Sequence, residues 1–156
     1  MRQKGAKMIK CNKLKTTVAA TVVFAVFCAV FLFITSGGYE QWKEENSGIP
    51  DALSSISDGT TCRLIVVANR SGIRDAEEFA EEVIKMCREN SFRSLRLSTD
   101  IEGWPEKLDI RVYLRKRDVG GKDPLMRILY EPVNDGEKYD IRDDREKYRM
   151  TILETE

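Results

Sequence analysis

The chain has 156 residues, with 26 Lys+Arg, 26 Asp+Glu, four Cys and no His, and its zero net charge hides a split. Arg2, Lys4, Lys7, Lys10, Lys13 and Lys15 open the chain without an acid, while the other 20 basic residues follow residue 36 with all 26 acids. The missing imidazole excludes Ser-His-Asp and Cys-His activation and HExxH zinc sites, and the acidic excess of the later part excludes a nucleic-acid partner, which requires phosphate neutralisation.

Residues 1–15 read as a cytoplasmic basic tail and 16–36 as a transmembrane signal-anchor helix. From Thr17 to Ile34 the chain runs 18 residues without a charge. At a 1.5 Å rise this spans roughly 27 Å, close to the hydrocarbon core of a bilayer. The basic flank before it, against Glu40, Glu44 and Glu45 after it, sets the amino terminus in the cytoplasm and the rest outside. A cleaved signal peptide would carry a shorter apolar core. Thr17, Thr21, Ala25 and Ala29 recur every four residues, a small-residue stripe through which two such helices can pair as a homodimer. Residues 37–60 are polar, with turn signals at Gly37-Gly38, Ser47-Gly48 and Asp58-Gly59. They read as a juxtamembrane linker in which Asp51–Ser57 forms one short helix.

An extracytoplasmic domain over 61–156 follows. Cys62–Ala68 is a β-rich run that ends at a turn. Asp75, with Glu78 three positions on, opens a helix by capping. Its buried face carries Ala76, Phe79, Ala80, Val83, Ile84 and Cys87, its wet face Glu77, Glu78, Glu81, Glu82 and Lys85. Beyond Asn90 the apolar period changes from 3.6 to 2. Leu95 and Leu97 mark one strand, Leu108–Leu114 the next, and Met126, Ile128 and Tyr130 another. Tyr139 and Ile141 suggest a short strand after a turn at Asn134-Asp135-Gly136, and Tyr148, Met150 and Ile152 the last. The order β-α-β-β-β-(β)-β predicts an α+β domain whose mostly antiparallel sheet carries one helix on one face, with a single parallel crossover at the start.

Two surfaces are candidates for binding. The loop Asn69, Arg70, Ser71, Gly72 and Arg74 joins a strand end to a helix start, where free N–H groups and a partial positive charge suit an anion. The alternative there is an ordinary turn capped by Asp75, without any Walker or GxGxxG pattern. The second surface is the solvent face of the sheet, to which alternation assigns Arg96, Arg111, Tyr113, Arg115 and Arg127, together with Arg149. It would meet an envelope protein or an anionic envelope polymer. The competing account is cross-strand pairing with Asp109, Glu131 and Asp140. Cys62 and Cys87 face the same layer and are candidates for a disulfide, which outside the cytoplasm would stabilise by roughly 3 kcal/mol; the alternative is two buried thiols acting as small hydrophobes. Two thiols without a histidine do not make a zinc shell, so neither metal nor cofactor is expected. Asp143-Asp144 and Glu102 are carboxylates without any sign of converging, so no catalytic residue is assigned.

The stretch Ile101-Glu102-Gly103-Trp104-Pro105, followed by Lys138-Tyr139-Asp140 and Asp144-Arg145-Glu146-Lys147-Tyr148, resembles a family of small uncharacterised bacterial lipoprotein domains. There a helix precedes an E-G-x-P turn and a short meander that ends in an Asp- and Tyr-rich segment. The likeness covers residues 62–148, without the family's lipid-attachment cysteine and with a longer spacing between the two segments. It implies a fold and an envelope location but no activity. The expectation is therefore a single-pass protein of the cell membrane whose outer domain is a non-catalytic binding module. The alternative is an anion- or small-ligand-sensing domain that uses loop 69–75.

Overall fold

The computed structural model describes residues 18, 21–99, 103–134 and 139–155. The basic tail 1–15, Thr17 of the small-residue stripe, Ile101, Glu102, Lys138 and the Asp135-Gly136 turn lie outside the described residues. The chain divides into two units, Met1–Lys43 and Glu44–Glu156.

In the first unit the apolar run forms helix α1, Thr21–Thr35. It stops because Gly37 takes a left-handed φ of 78°, open to glycine without strain. The Thr35 hydroxyl meanwhile donates back to the Phe31 carbonyl at 2.9 Å. Helix α2, Gly38–Glu45, follows. Among the described residues no single helix is long and apolar enough to cross a membrane, although α1 and α2, bent by 70° at their break, meet that length and composition together.

The second unit is an α+β domain. Strands β1 (Asp51–Ser57), β2 (Thr61–Val67), β3 (Lys107–Tyr113), β4 (Met126–Pro132) and β5 (Tyr148–Glu154) stand side by side in chain order. Only β2 and β3 run parallel, joined through helix α3, Ala76–Glu89; the other pairs are antiparallel. The predicted class is correct: a mostly antiparallel sheet with one parallel crossover. Helix α3 begins as the capping pattern requires, with the Asp75 carboxylate accepting from the N–H groups of Glu77 at 3.0 Å and Glu78 at 2.9 Å. Phe79, Ala80, Val83, Ile84 and Cys87 are buried along it. They join a core with Leu64, Val66, Leu108, Ile110, Val112 and Ile128. Each large side chain so buried contributes about 2 kcal/mol.

Three element assignments need correction. Residues 51–57 are not a helix in a spacer but the edge strand β1, hydrogen-bonded to β2 through the hairpin at Asp58-Gly59. There the Asp58 carboxylate accepts from Thr61 N–H at 2.8 Å and Thr60 N–H at 3.3 Å, the local turn that short Asp side chains favour. Three serines give the segment little helical preference, so the vacant edge of β2 decides. Residues 94–98 are not a strand, because side chains take the backbone groups a ladder would use. Asp51 accepts from Arg93 N–H at 2.9 Å and Ser94 N–H at 3.1 Å. Asn90, left-handed at the end of α3, accepts from Leu97 N–H at 2.7 Å and donates to its carbonyl at 3.0 Å. Nor does Ile141 lie on a strand. It is fully buried from a turn, with its N–H on the Pro105 carbonyl at 3.3 Å. The described order is thus β-β-α-β-β-β.

Candidate functional site

Loop 69–75 leaves β2 through Asn69, which holds a left-handed φ of 53°. Its side chain donates to the Ile49 carbonyl at 3.0 Å, and its own carbonyl accepts from Gly48 N–H at 2.9 Å. Arg70 is similarly committed. Its guanidinium pairs with Glu82 at 3.0 Å, donates to the Gly48 carbonyl, and lies over the Phe79 ring 5.0 Å from the centroid. Arg70, Gly72 and Arg74 do line one groove of about 610 Å³, but Asp75, Glu78 and Glu82 line it too. Asp75 already holds the first helix N–H groups. Ser71 and Arg74 are exposed. The loop therefore offers three carboxylates against two guanidiniums and holds the Arg70 head on Glu82 and the Gly48 carbonyl, although its buried Nε has no partner among the described residues, a balance that suits a structural turn better than an anion.

The sheet face opposite α3 receives only part of the expected set. Arg111 and Arg127 are cross-strand neighbours on β3 and β4, and Arg111 is exposed. Arg127 is committed to Asp109 by a two-pronged bond of 2.6 and 2.8 Å. That hydrogen bond, more than the nearby positive charges of Arg127, Arg111 and Arg63, holds the Asp109 carboxyl below its ordinary value despite burial. The cross-strand account thus applies to Arg127, though with Asp109 on the diagonal, two residues along β3 from its direct partner Arg111. Tyr113 is on this face by alternation but is only 8% exposed. Arg115 lies beyond the end of β3, partly buried, leading into the turn Lys116–Asp118. Arg96 is not on the sheet at all, since its segment is a loop and its guanidinium donates to the Asn90 carbonyl. Exposed Leu153 on β5 pairs with Arg127, while exposed Ile56 on β1, at the other edge of the sheet, pairs with Arg63.

Cys62 and Cys87 are free thiols, both buried in the same core. Burial pushes Cys62 up to about 11 and raises Cys87 further, so neither is a nucleophile at neutral pH. Among the described residues no group of three or more His, Cys, Asp or Glu could hold a metal ion.

A third surface had no sequence pattern to announce it. Lys85 and Arg88, one helical turn apart on α3, face Arg142 and Arg145 from the turn that precedes β5, around Trp104. The carbonyl of Arg142 accepts from Arg88 at 2.9 Å, and the Arg142 guanidinium lies 5.4 Å from the Trp104 centroid. Asp140 shapes this turn, its carboxylate accepting from Arg142 and Asp143 N–H at 2.9 Å each. Alongside, Tyr130 and Tyr148 stack at 4.6 Å. Burial, and then the charge of Asp140, raises the Tyr148 hydroxyl above its usual range. The available signal was the i, i+3 spacing of both Lys85/Arg88 and Arg142/Arg145, which acquires meaning only when the two segments meet.

Comparison with protein-family models, with curated proteins and with solved structures finds no match to this chain.

Proposed function

We propose that residues 16–36 tether the chain once in a cell membrane, amino terminus inside, and that the α+β domain serves outside it as a non-catalytic binding module at the envelope. The observation that carries the tether is the exposure of α1. Its large apolar side chains, from Val22 to Ile34, are 46–69% exposed. Water solvates such a surface poorly, and a contiguous patch of this kind marks a lipid or protein contact. For the module, the sheet face opposite α3 supplies exposed Arg111 paired with Arg127, which in turn pairs with exposed Leu153, a mixed apolar and cationic surface of the sort that meets an anionic partner.

Fractionation of cells that express the full chain tests the tether. It should stay with membranes through an alkaline carbonate wash and require detergent for release. Recovery in a detergent-free soluble fraction would refute the reading. Co-sedimentation of the detergent-solubilised chain with isolated envelope fragments tests the module. Arg111→Glu should abolish it, and unchanged sedimentation removes the sheet face as the contact.

A further inference from the structure

We propose that the groove between the C-terminal half of α3 and the turn before β5 is a receptor for a phosphoryl group. The proposal rests on the reading of this domain as a binding module, though not on the tether or the sheet face. The groove measures about 570 Å³ and is lined by Lys85, Arg88, Glu89, Trp104, Arg142 and Arg145. Four cations thus face one carboxylate. Glu89 reaches only Lys85, at 3.9 Å, with both side chains more than half exposed, so solvent screens that pair.

Among the described residues none of the three guanidiniums has a carboxylate partner. Arg88 donates to a carbonyl and keeps a buried Nε without any partner. Arg142 is steadied by packing on Trp104, a contact that fixes its position without neutralising it. Arg145 projects from the short turn Arg145–Lys147 and is exposed. The C-terminal end of α3 opposes an anion with about half a charge, against a net of three positive side chains.

Geometry selects the class of anion. A planar carboxylate is satisfied by a single guanidinium fork. Here three guanidiniums approach from two chain segments, which suits the three acceptor oxygens of a phosphoryl group. Both a phospholipid headgroup and a soluble phosphate ester present that chemistry.

The test uses the full chain in neutral maltoside micelles with Trp42→Phe, which leaves Trp104 as the only tryptophan and a reporter inside the groove. Inorganic phosphate, malonate and micelles doped with phosphatidic acid are titrated in turn. Trp104 fluorescence should change saturably with a phosphoryl probe, and Arg142→Gln/Arg145→Gln should weaken that response by about tenfold or more. Arg111→Gln, on the sheet face, should leave it unchanged, as should the outcome of membrane fractionation. Malonate should bind more weakly than phosphate. A stronger response to free phosphate assigns a soluble ester and a stronger response to phosphatidic acid a lipid headgroup; either supports the site. No saturable response to either phosphoryl probe, equal binding of malonate, or an unaffected double variant would overturn it.

Discussion

Asp51 joins the first strand to the segment that follows α3, and replacing it tests whether β1 belongs to the domain. The carboxylate is buried and accepts from Arg93 N–H at 2.9 Å, Ser94 N–H at 3.1 Å and the Ser94 hydroxyl at 2.5 Å. A hydrogen bond to a charged acceptor is worth about 1.5–3 kcal/mol. Arg93 and Ser94 are exposed, so in Asp51→Ala their freed groups regain water and the low end applies, about 1 kcal/mol each after that relief. The Arg93 ion pair, at 3.8 Å from a guanidinium 59% exposed, adds little. The expected loss is therefore about 3 kcal/mol, or roughly 12 °C in Tm for a unit of this size. Asp51→Asn keeps one oxygen for the N–H groups of Ala52, Arg93 and Ser94 and should lose only about 1 kcal/mol. Guanidinium titration of the full chain in micelles, read by Trp104 fluorescence in the Trp42→Phe background, separates the three proteins. If Asp51→Ala unfolds within about 0.5 kcal/mol of the parent, or level with Asp51→Asn, the clamp argument fails.

Two further outcomes follow from groups in the core and on the sheet. The Asp109 carboxyl is depressed in the folded state, so its contribution is complete above the ordinary aspartate value of 3.8 and is lost as pH falls through the lower folded value. Arg127→Gln should cost about 1 kcal/mol at neutral pH, because the guanidinium is 43% exposed, and should flatten the acid limb of the stability curve; an identical acid limb in both proteins would contradict the assignment. For the thiols, iodoacetamide at pH 8 should leave Cys62 and Cys87 largely unmodified in the native chain and label both after unfolding without reductant. Peptide mass spectrometry would contradict this by detecting a cross-linked 62–87 pair or native labelling at the unfolded rate.

Where a pattern repeats within one element, the sequence is a reliable guide. Helix α3 announces its buried face by spacing and its start by Asp75, and both are as the residues require. Strands β2, β3, β4 and β5 follow alternation because each buries one face on α3 or its neighbours. The assignments that failed concern segments whose backbone partners are remote in sequence. Asp51–Ser57 has neither clear alternation nor helix formers, and pairing with β2 decides its state. Leu95 and Leu97 alternate like a strand, yet Asn90 and Asp51 claim the hydrogen-bonding groups a ladder needs. The surfaces divide in the same way. Alternation put Arg111 and Arg127 together and named Asp109 among the acids that could pair across strands, but could not say which arginine it would occupy, nor that Tyr113 would be covered.

On its own, then, the sequence determined what depends on neighbours a turn or two away: an uncharged helix, a capped amphipathic helix, strands with one apolar face, and the absence of imidazole chemistry. Tertiary structure alone decided which edge β1 joins, which arginines are committed and which are free, and that Lys85 and Arg88 meet Arg142 and Arg145. Short-range periodicity is set by backbone geometry, which every stretch of chain carries with it. Charge pairing and groove formation depend on distances between segments more than fifty residues apart, such as the one closed by the bond from Arg88 to the Arg142 carbonyl, and those distances exist only once the core has closed.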